Sequence, residues 1–388
     1  MYRVQGAFRA TWPVLLVCLA TLLLSACGSR QTAEPLVLPE TTGEAEVRKI
    51  WSQRVARGHD DEFLFLQPAV TNDTVYIVTA EGYLTAYNAR NGRRDWWIKL
   101  DDRVLGGVGA DEDQLYVVTR GGDLVALSLD GQEEYWRAPL PNESLVPPQS
   151  NGALVVTQTI DGQLLAFDRS SGERRWLFDT SMPVLSYRGN ATPWMDDRRL
   201  VTGFDNGRVA ALDVNSGRLL WNYDVGVPSG RTELERLVDI DGSPVVRNGR
   251  VYVTGYQGRM AALDLRTGDE LWSRPGSSLR SPGVDDNRII VAGSDGLMIG
   301  YDQRSRSEVW RVESLKRREL TDPVPLSGYF LVGDSEGYIF AIEPRDGSIA
   351  SFDRVDEKGI RSSFVRYRDR IIMFGNGGQL ASYRIVKP

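Results

Sequence analysis

Two stretches, Ala211-Leu-Asp-Val-Asn-Ser-Gly-Arg-Leu-Leu-Trp221 and Ala262-Leu-Asp-Leu-Arg-Thr-Gly-Asp-Glu-Leu-Trp272, follow one template. A small residue and a large one are followed by Asp, a Ser/Thr-Gly turn and a short run ending on tryptophan. The template recurs along the chain when it is aligned on one upstream glycine: Gly82, Gly122, Gly162, Gly207, Gly258, Gly296, Gly337 and Gly378. The intervals are 40, 40, 45, 51, 38, 41 and 41 residues. Two residues after each glycine stands a large apolar residue, from Leu84 and Leu124 to Leu380. Four after it the residue is small (Ala86, Ala126, Ala166, Ala211, Ala262, Gly300, Ala341, Ser382), and five after it large again. Fourteen after it come Trp96, Trp136, Trp176, Trp221, Trp272 and Trp310, whereas the seventh unit has Ser351. A period of 38–51 residues marks a repeat architecture.

Each unit reads as four strands. A β-rich run such as Val75-Tyr-Ile-Val78 precedes a short Gly-containing turn, where glycine supplies the positive φ of a tight hairpin. The next strand is apolar on both faces and must be covered on both sides. Its small residue leaves room for a neighbouring sheet. The tryptophans then serve inter-blade packing, since each brings a large apolar area and needs one partner for its N–H. Four strands in about 40 residues, stacked on their neighbours, describe a propeller blade.

Closure is also legible. The eighth unit stops at Pro388, after its third strand, and an orphan strand, Val47-Arg-Lys-Ile-Trp51, lies at the other end. Trp51 precedes Trp96 by 45 residues, a full unit. The expected fold is all-β: an eight-bladed β-propeller over 46–388 with four-stranded antiparallel blades, the last closed by the N-terminal strand. Seven blades is the alternative if the weak seventh unit fails to form one.

The first 26 residues read as a targeting segment. Arg3 and Arg9 precede the apolar run Val14–Leu24, which is short for a bilayer span. It ends in Leu24-Ser25-Ala26-Cys27, which resembles a bacterial lipobox. Cys18 leaves with the signal, so Cys27 becomes the sole cysteine, at the first position of the mature chain. Disulfides are thereby excluded, and lipidation of Cys27 is expected. Gly28 follows where an Asp would resemble an inner-membrane retention signal. The expected location is the periplasmic face of the outer membrane. Residues 27–45, rich in Pro, Thr and Glu, read as anchor and flexible tether. Losing Arg3 and Arg9 moves the net charge from −6 to −8, which speaks against a nucleic-acid binder.

The repeats resemble the tryptophan-docking repeats of pyrroloquinoline quinone (PQQ) dehydrogenases. Eight of them behind a lipobox resemble the BamB family, the lipoproteins of the β-barrel assembly machine. More specific to that family are Leu185-Ser-Tyr-Arg188-Gly189, Thr232-Glu-Leu-Glu-Arg236-Leu-Val-Asp239-Ile-Asp241 and Val332-Gly-Asp-Ser-Glu-Gly337. The resemblance implies a scaffold that binds the POTRA domains of BamA through a Leu-x-Leu-Arg element and an Asp-x-Asp element. Leu185 and Arg188 match the first, with Tyr187 in place of its second leucine. Asp239 and Asp241 match the second. Other subunits of the machine and unfolded outer-membrane clients are the further partners implied.

The enlarged intervals of 45 and 51 converge on the same place. Both insertions fall in connectors between an outermost strand and the next blade's innermost strand, so they lie side by side on one face. Long loops on a rigid scaffold are where binding concentrates. Arg188 pairing with Asp239 or Asp241 merely to hold the loops is the plainer alternative.

No catalytic constellation, metal site or cofactor is expected. A PQQ-dependent or small-ligand-sensing propeller is the competing reading. Such enzymes resemble this fold but use calcium, a catalytic Asp and usually paired cysteines, and no second mature cysteine exists here. His59, the sole histidine, sits in Gly58-His59-Asp60-Asp61-Glu62 and reads as a solvated loop residue. Asp168, Asp213, Asp264 and Asp302 precede turns and read as local hydrogen-bond acceptors. Asp334-Ser-Glu336-Gly337 reads as a hairpin turn. Lys316-Arg317-Arg318 reads as a solvated loop or a second contact patch.

Overall fold

A computed structural model describes residues 36–55, 58–59, 62–180, 191–227, 231–232 and 237–387. The expected targeting segment and Cys27 lie outside them, as do Leu185, Tyr187 and Arg188. Pro39–Pro388 form one compact unit.

Eight four-stranded antiparallel sheets follow one another along the chain. Blade 1 spans 69–99, blade 2 109–139, blade 3 149–178 and blade 4 194–224. Blade 5 spans 245–275, blade 6 283–312 and blade 7 324–354. Blade 8 combines strands of 365–386 with the N-terminal strand Glu46–Arg54. The first strand of each blade is short, and most touch the first strand of a neighbouring blade, which places these strands around the central axis. The second and third strands are almost wholly buried, as their two-sided apolar pattern requires. The eight-blade expectation holds, and the seven-blade alternative does not.

The tryptophans hold the blades together by a repeated contact. Trp136 donates its indole N–H to the Arg169 carbonyl of the next blade at 2.7 Å. Trp176, Trp221 and Trp310 do the same to Val214, Leu265 and Pro344 at 2.8, 3.1 and 3.0 Å. The ring lies flat on the turn glycine of that next blade. At Gly172, whose φ is +70°, a Cβ would stand 2.6 Å from the Trp136 ring. Glycine is needed there both for the left-handed backbone and for the close approach. The Asp that opens four of these turns accepts from the turn backbone, as Asp168 does from Ser170 and Ser171 and Asp264 from Arg266 and Thr267.

Several expectations need correction in detail. The small residue after the repeat glycine, besides facing the next blade, makes room for the blade's own tryptophan directly opposite on the neighbouring strand, in every blade but the seventh. Ala166 faces Trp176, and a Cβ on Gly300 would stand 2.2 Å from Trp310. In blade 5 the positive φ of the hairpin falls on Gln257, not on Gly258. Trp96 is only half-buried and meets Gly131 with the edge of its six-membered ring. In blade 6 this turn position is Arg306, at φ +60°, where blades 1–5 and 7 have glycine. Arg274 lies over the Trp272 ring, its guanidinium 5.8 Å from the centroid, and donates to the Arg306 carbonyl. Arg306→Gly should therefore raise stability by about 1 kcal/mol, the cost of a left-handed non-glycine residue, read as a higher urea midpoint.

Ser351 has a physical explanation. Blade 8 takes its outer strand from the N-terminus, so no turn joins its third and fourth strands. A tryptophan in blade 7 would have nothing to dock on. Instead the Ser351 hydroxyl accepts the Val47 backbone N–H at 2.9 Å, while Ala45 and Val47 pack on blade 7.

His59 is buried rather than solvated. Its ring stacks on Phe374 with centroids 5.9 Å apart, and its backbone N–H donates to Asn376. Burial and the Arg361 charge hold its pKa below the usual value. The basic triplet also departs from both readings, because Arg318 is buried in an ion pair with Asp334 at 2.5 Å. Asp334 nonetheless remains a turn residue, accepting from the backbones of Glu336 and Tyr338.

Candidate functional site: the connector face

Strand alternation sorts the loops into two faces. Hairpins between second and third strands share a face with the connectors that lead to the next blade. The Ser/Thr-Gly turns lie on the opposite face. Both long connectors, 179–193 and 225–244, therefore belong to the first face. They meet beside the axis, where the Thr192 backbone N–H donates to the Ser243 hydroxyl at 2.9 Å.

The second connector is fixed from within. Ile240 is fully buried between blades 4 and 5, with Val201, Val253 and Leu263 in its cluster. It fits because Gly203 lacks a side chain, since a Cβ there would stand 2.3 Å from Ile240 Cγ2. The Tyr256 backbone N–H donates to the Asp239 carbonyl at 2.8 Å. One anchored isoleucine thus sets both flanking carboxylates.

Asp239 is fully buried, whereas Asp241 is partly exposed. They join Asp205, from the hairpin of blade 4, in a cluster whose carboxylate oxygens lie within 4.8 Å of one another. Sequence reading missed Asp205. The available signal was its place two residues before the repeat glycine, where no other unit carries an acid. Asp241 Oδ1 is buried with no hydrogen-bond partner among the described residues. Burial first, and then repulsion from Asp205, push its pKa up to about 7 against an opposing pull from Arg280. The arrangement is a seat for positive charge.

Asp241 also lines a cavity of about 350 Å³ on the same face, walled by Phe63, Phe65, Leu145 and Leu279, with Arg280 over the Phe65 ring. Leu185, Tyr187 and Arg188 lie outside the described residues, so only the Asp-x-Asp element can be placed.

A proton on Asp241 is held more tightly in the folded chain than in the unfolded one. Its contribution to stability is present below about pH 4 and is lost as pH rises towards about 7. Asp241→Asn should flatten that segment of the pH profile. It should stabilise the protein by about 1–3 kcal/mol near neutral pH by removing an uncompensated buried charge. Urea unfolding at several pH values measures this, and an unchanged profile would show that the carboxyl titrates normally.

Comparison with known proteins bears on the whole chain. The family described as "Outer membrane protein assembly factor BamB" matches residues 41–103, 97–283 and 275–382. A relative of that name from Marinobacter adhaerens is 43% identical over 367 residues, covering 94% of each chain. The crystal structure of BamB from Moraxella catarrhalis superposes with a TM-score of 0.80 at 27% identity, over 87% of this chain and 100% of that one. A quinohemoprotein alcohol dehydrogenase from Comamonas testosteroni reaches 0.64 at 13% identity, over 87% of this chain and 76% of that one, and shares the fold alone. The chain belongs to the BamB family of outer membrane protein assembly factors.

Proposed function

We propose that the protein is a non-catalytic scaffold of the machinery that assembles β-barrel proteins into the outer membrane, held at its periplasmic face by lipid on Cys27. Its partner is BamA, whose POTRA domains are held on the connector face by Leu185, Tyr187 and Arg188. The observation that carries this reading is the pairing of family membership with two long connectors meeting on one face of a rigid ring. Asp239 and Asp241, on the second connector, belong to the same contact in this account. With Asp205 they supply the negative field that orients positive charge at the connectors, whether from this chain or from the partner. Arg188 supplies an anchor of the kind that dominates interfaces.

Affinity recovery of the tagged protein from membranes tests the reading. BamA should come with the parent, and Arg188→Ala should reduce its recovery about tenfold or more. A folded Arg188→Ala protein that recovers BamA in full would remove Arg188 from the interface. The mass of the N-terminal peptide from cells tests acylation of Cys27 separately.

A further inference from the structure

The root of the tether and the connectors lie on opposite faces. Glu46 pairs with Val386 at the turn-face end of blade 8, while Arg54 pairs with Gln379 beside the hairpin. Just before this strand, the backbones of Thr42 and Gly43 donate to Ile349 and Ala350 of blade 7. The chain therefore enters the ring from the turn face, at the seam between blades 7 and 8.

On the same face, on the other side of blade 8, the surface is basic, in a protein whose net charge is −6. Arg90, Arg93, Arg94, Arg366, Arg368 and Arg370 gather on the turns and rim of blades 8 and 1. The carboxylates among them are Asp73, Asp95 and Asp369. The arginines are organised rather than scattered. Asp73 bridges Arg90 and Arg368, Arg370 donates to the Arg90 carbonyl at 2.9 Å, and Arg366 donates to the Arg368 carbonyl. Arg94 and Arg366 are exposed and have no carboxylate partner among the described residues. Exposed arginines without carboxylate partners suit the phosphates of anionic lipid headgroups.

We propose that the turn face where blade 8 meets blade 1 rests on anionic lipid headgroups, with the arginines on phosphates. The inference rests on the reading of Cys27 as the lipid-anchored residue, because the anchored chain enters the ring on this same face, at blade 8. Blade 2 limits the contact to an edge, since its turns carry Glu112, Asp113, Asp130, Glu133 and Glu134. The ring then tilts, and the connector face turns away from the lipid towards its protein partner.

The mature chain from residue 27, produced without acylation, should co-sediment with vesicles of phosphatidylcholine and phosphatidylglycerol at low salt. It should do so far less with phosphatidylcholine alone, and high salt should release it. The variant Arg94→Glu/Arg366→Glu, with its thermal transition checked against the parent, should bind the anionic vesicles about tenfold more weakly or less. Equal binding to both vesicles, or a folded variant that binds like the parent, would overturn the proposal. So would a variant that keeps vesicle binding but loses a protein from the membrane pull-down, since the patch would then serve an acidic protein surface. Failure of Cys27 acylation would show in the peptide mass and leave the vesicle result readable on its own.

Discussion

Trp51→Ala is expected to lower the free energy of unfolding by about 3–5 kcal/mol, the usual cost of removing a buried tryptophan. Its effect should exceed that of the same change at Trp96. Trp51 is 8% exposed, donates to the Ala89 carbonyl at 3.0 Å and lies on Gly92 of blade 1. That contact is the tryptophan dock made by the closing strand itself. In the other blades the four strands follow one another in the chain, but blade 8 is completed only by the pairing of the strand Glu46–Arg54 with the strand Gln379–Val386. Opening the seam exposes the edge of the strand Gln379–Val386, and an unpaired edge invites association with other chains. The variant should therefore unfold at lower urea and form higher-order species on gel filtration near its transition. Trp96 is half-buried and docks by its edge, so Trp96→Ala should cost less. Equal effects at the two positions would contradict the role given to the closing strand.

Arg318→Ala should be comparably severe, at about 3–5 kcal/mol, because it strands a buried charge. Both members of the Arg318–Asp334 pair are 1% exposed or less. Burial raises the Asp334 carboxyl above its ordinary value despite the guanidinium beside it. The side chain runs close to Phe340, with the guanidinium 5.5 Å from the ring centroid. Its own backbone is clamped as well, since Ser335 donates to the Arg318 carbonyl from both its N–H and its hydroxyl. The residues on either side, Arg317 and Glu319, have φ of +66° and +47°. Two left-handed non-glycine residues are tolerated there because the arginine between them is so firmly placed. Arg318→Met/Asp334→Asn removes both charges and should cost much less than Arg318→Ala, as measured by equilibrium unfolding. If the double variant is as unstable as the single one, packing volume rather than charge accounts for the loss.

These two residues also mark what could be read in advance. Blade number, strand order and closure follow from local rules repeated eight times, and Trp51 carries the same rule displaced to the other terminus. Each unit states its own hairpin, its own turn and its own docking residue, so errors in one unit are corrected by the rest. Arg318 obeys no such rule. It lies in a connector, and its burial depends on a carboxylate 16 residues away and on aromatic rings of the next blade. His59 was hidden for the same reason, because its polar neighbours in sequence say nothing of Phe374, which closure brings to it. The Asp-x-Asp element was legible as a pair. Its depth was not, since that follows from Ile240 filling the space above Gly203. Asp205 joined the pair only through the adjacency of a hairpin and a connector on one face.

The most direct test of the scaffold account is crosslinking in cells. A photoreactive residue at position 187, on the first long connector, should give an adduct that contains BamA. The same residue at position 304, in an exposed turn on the opposite face, should give none. An adduct with BamA from position 304 and none from 187, in folded protein, would place the partner on the wrong face and contradict the account.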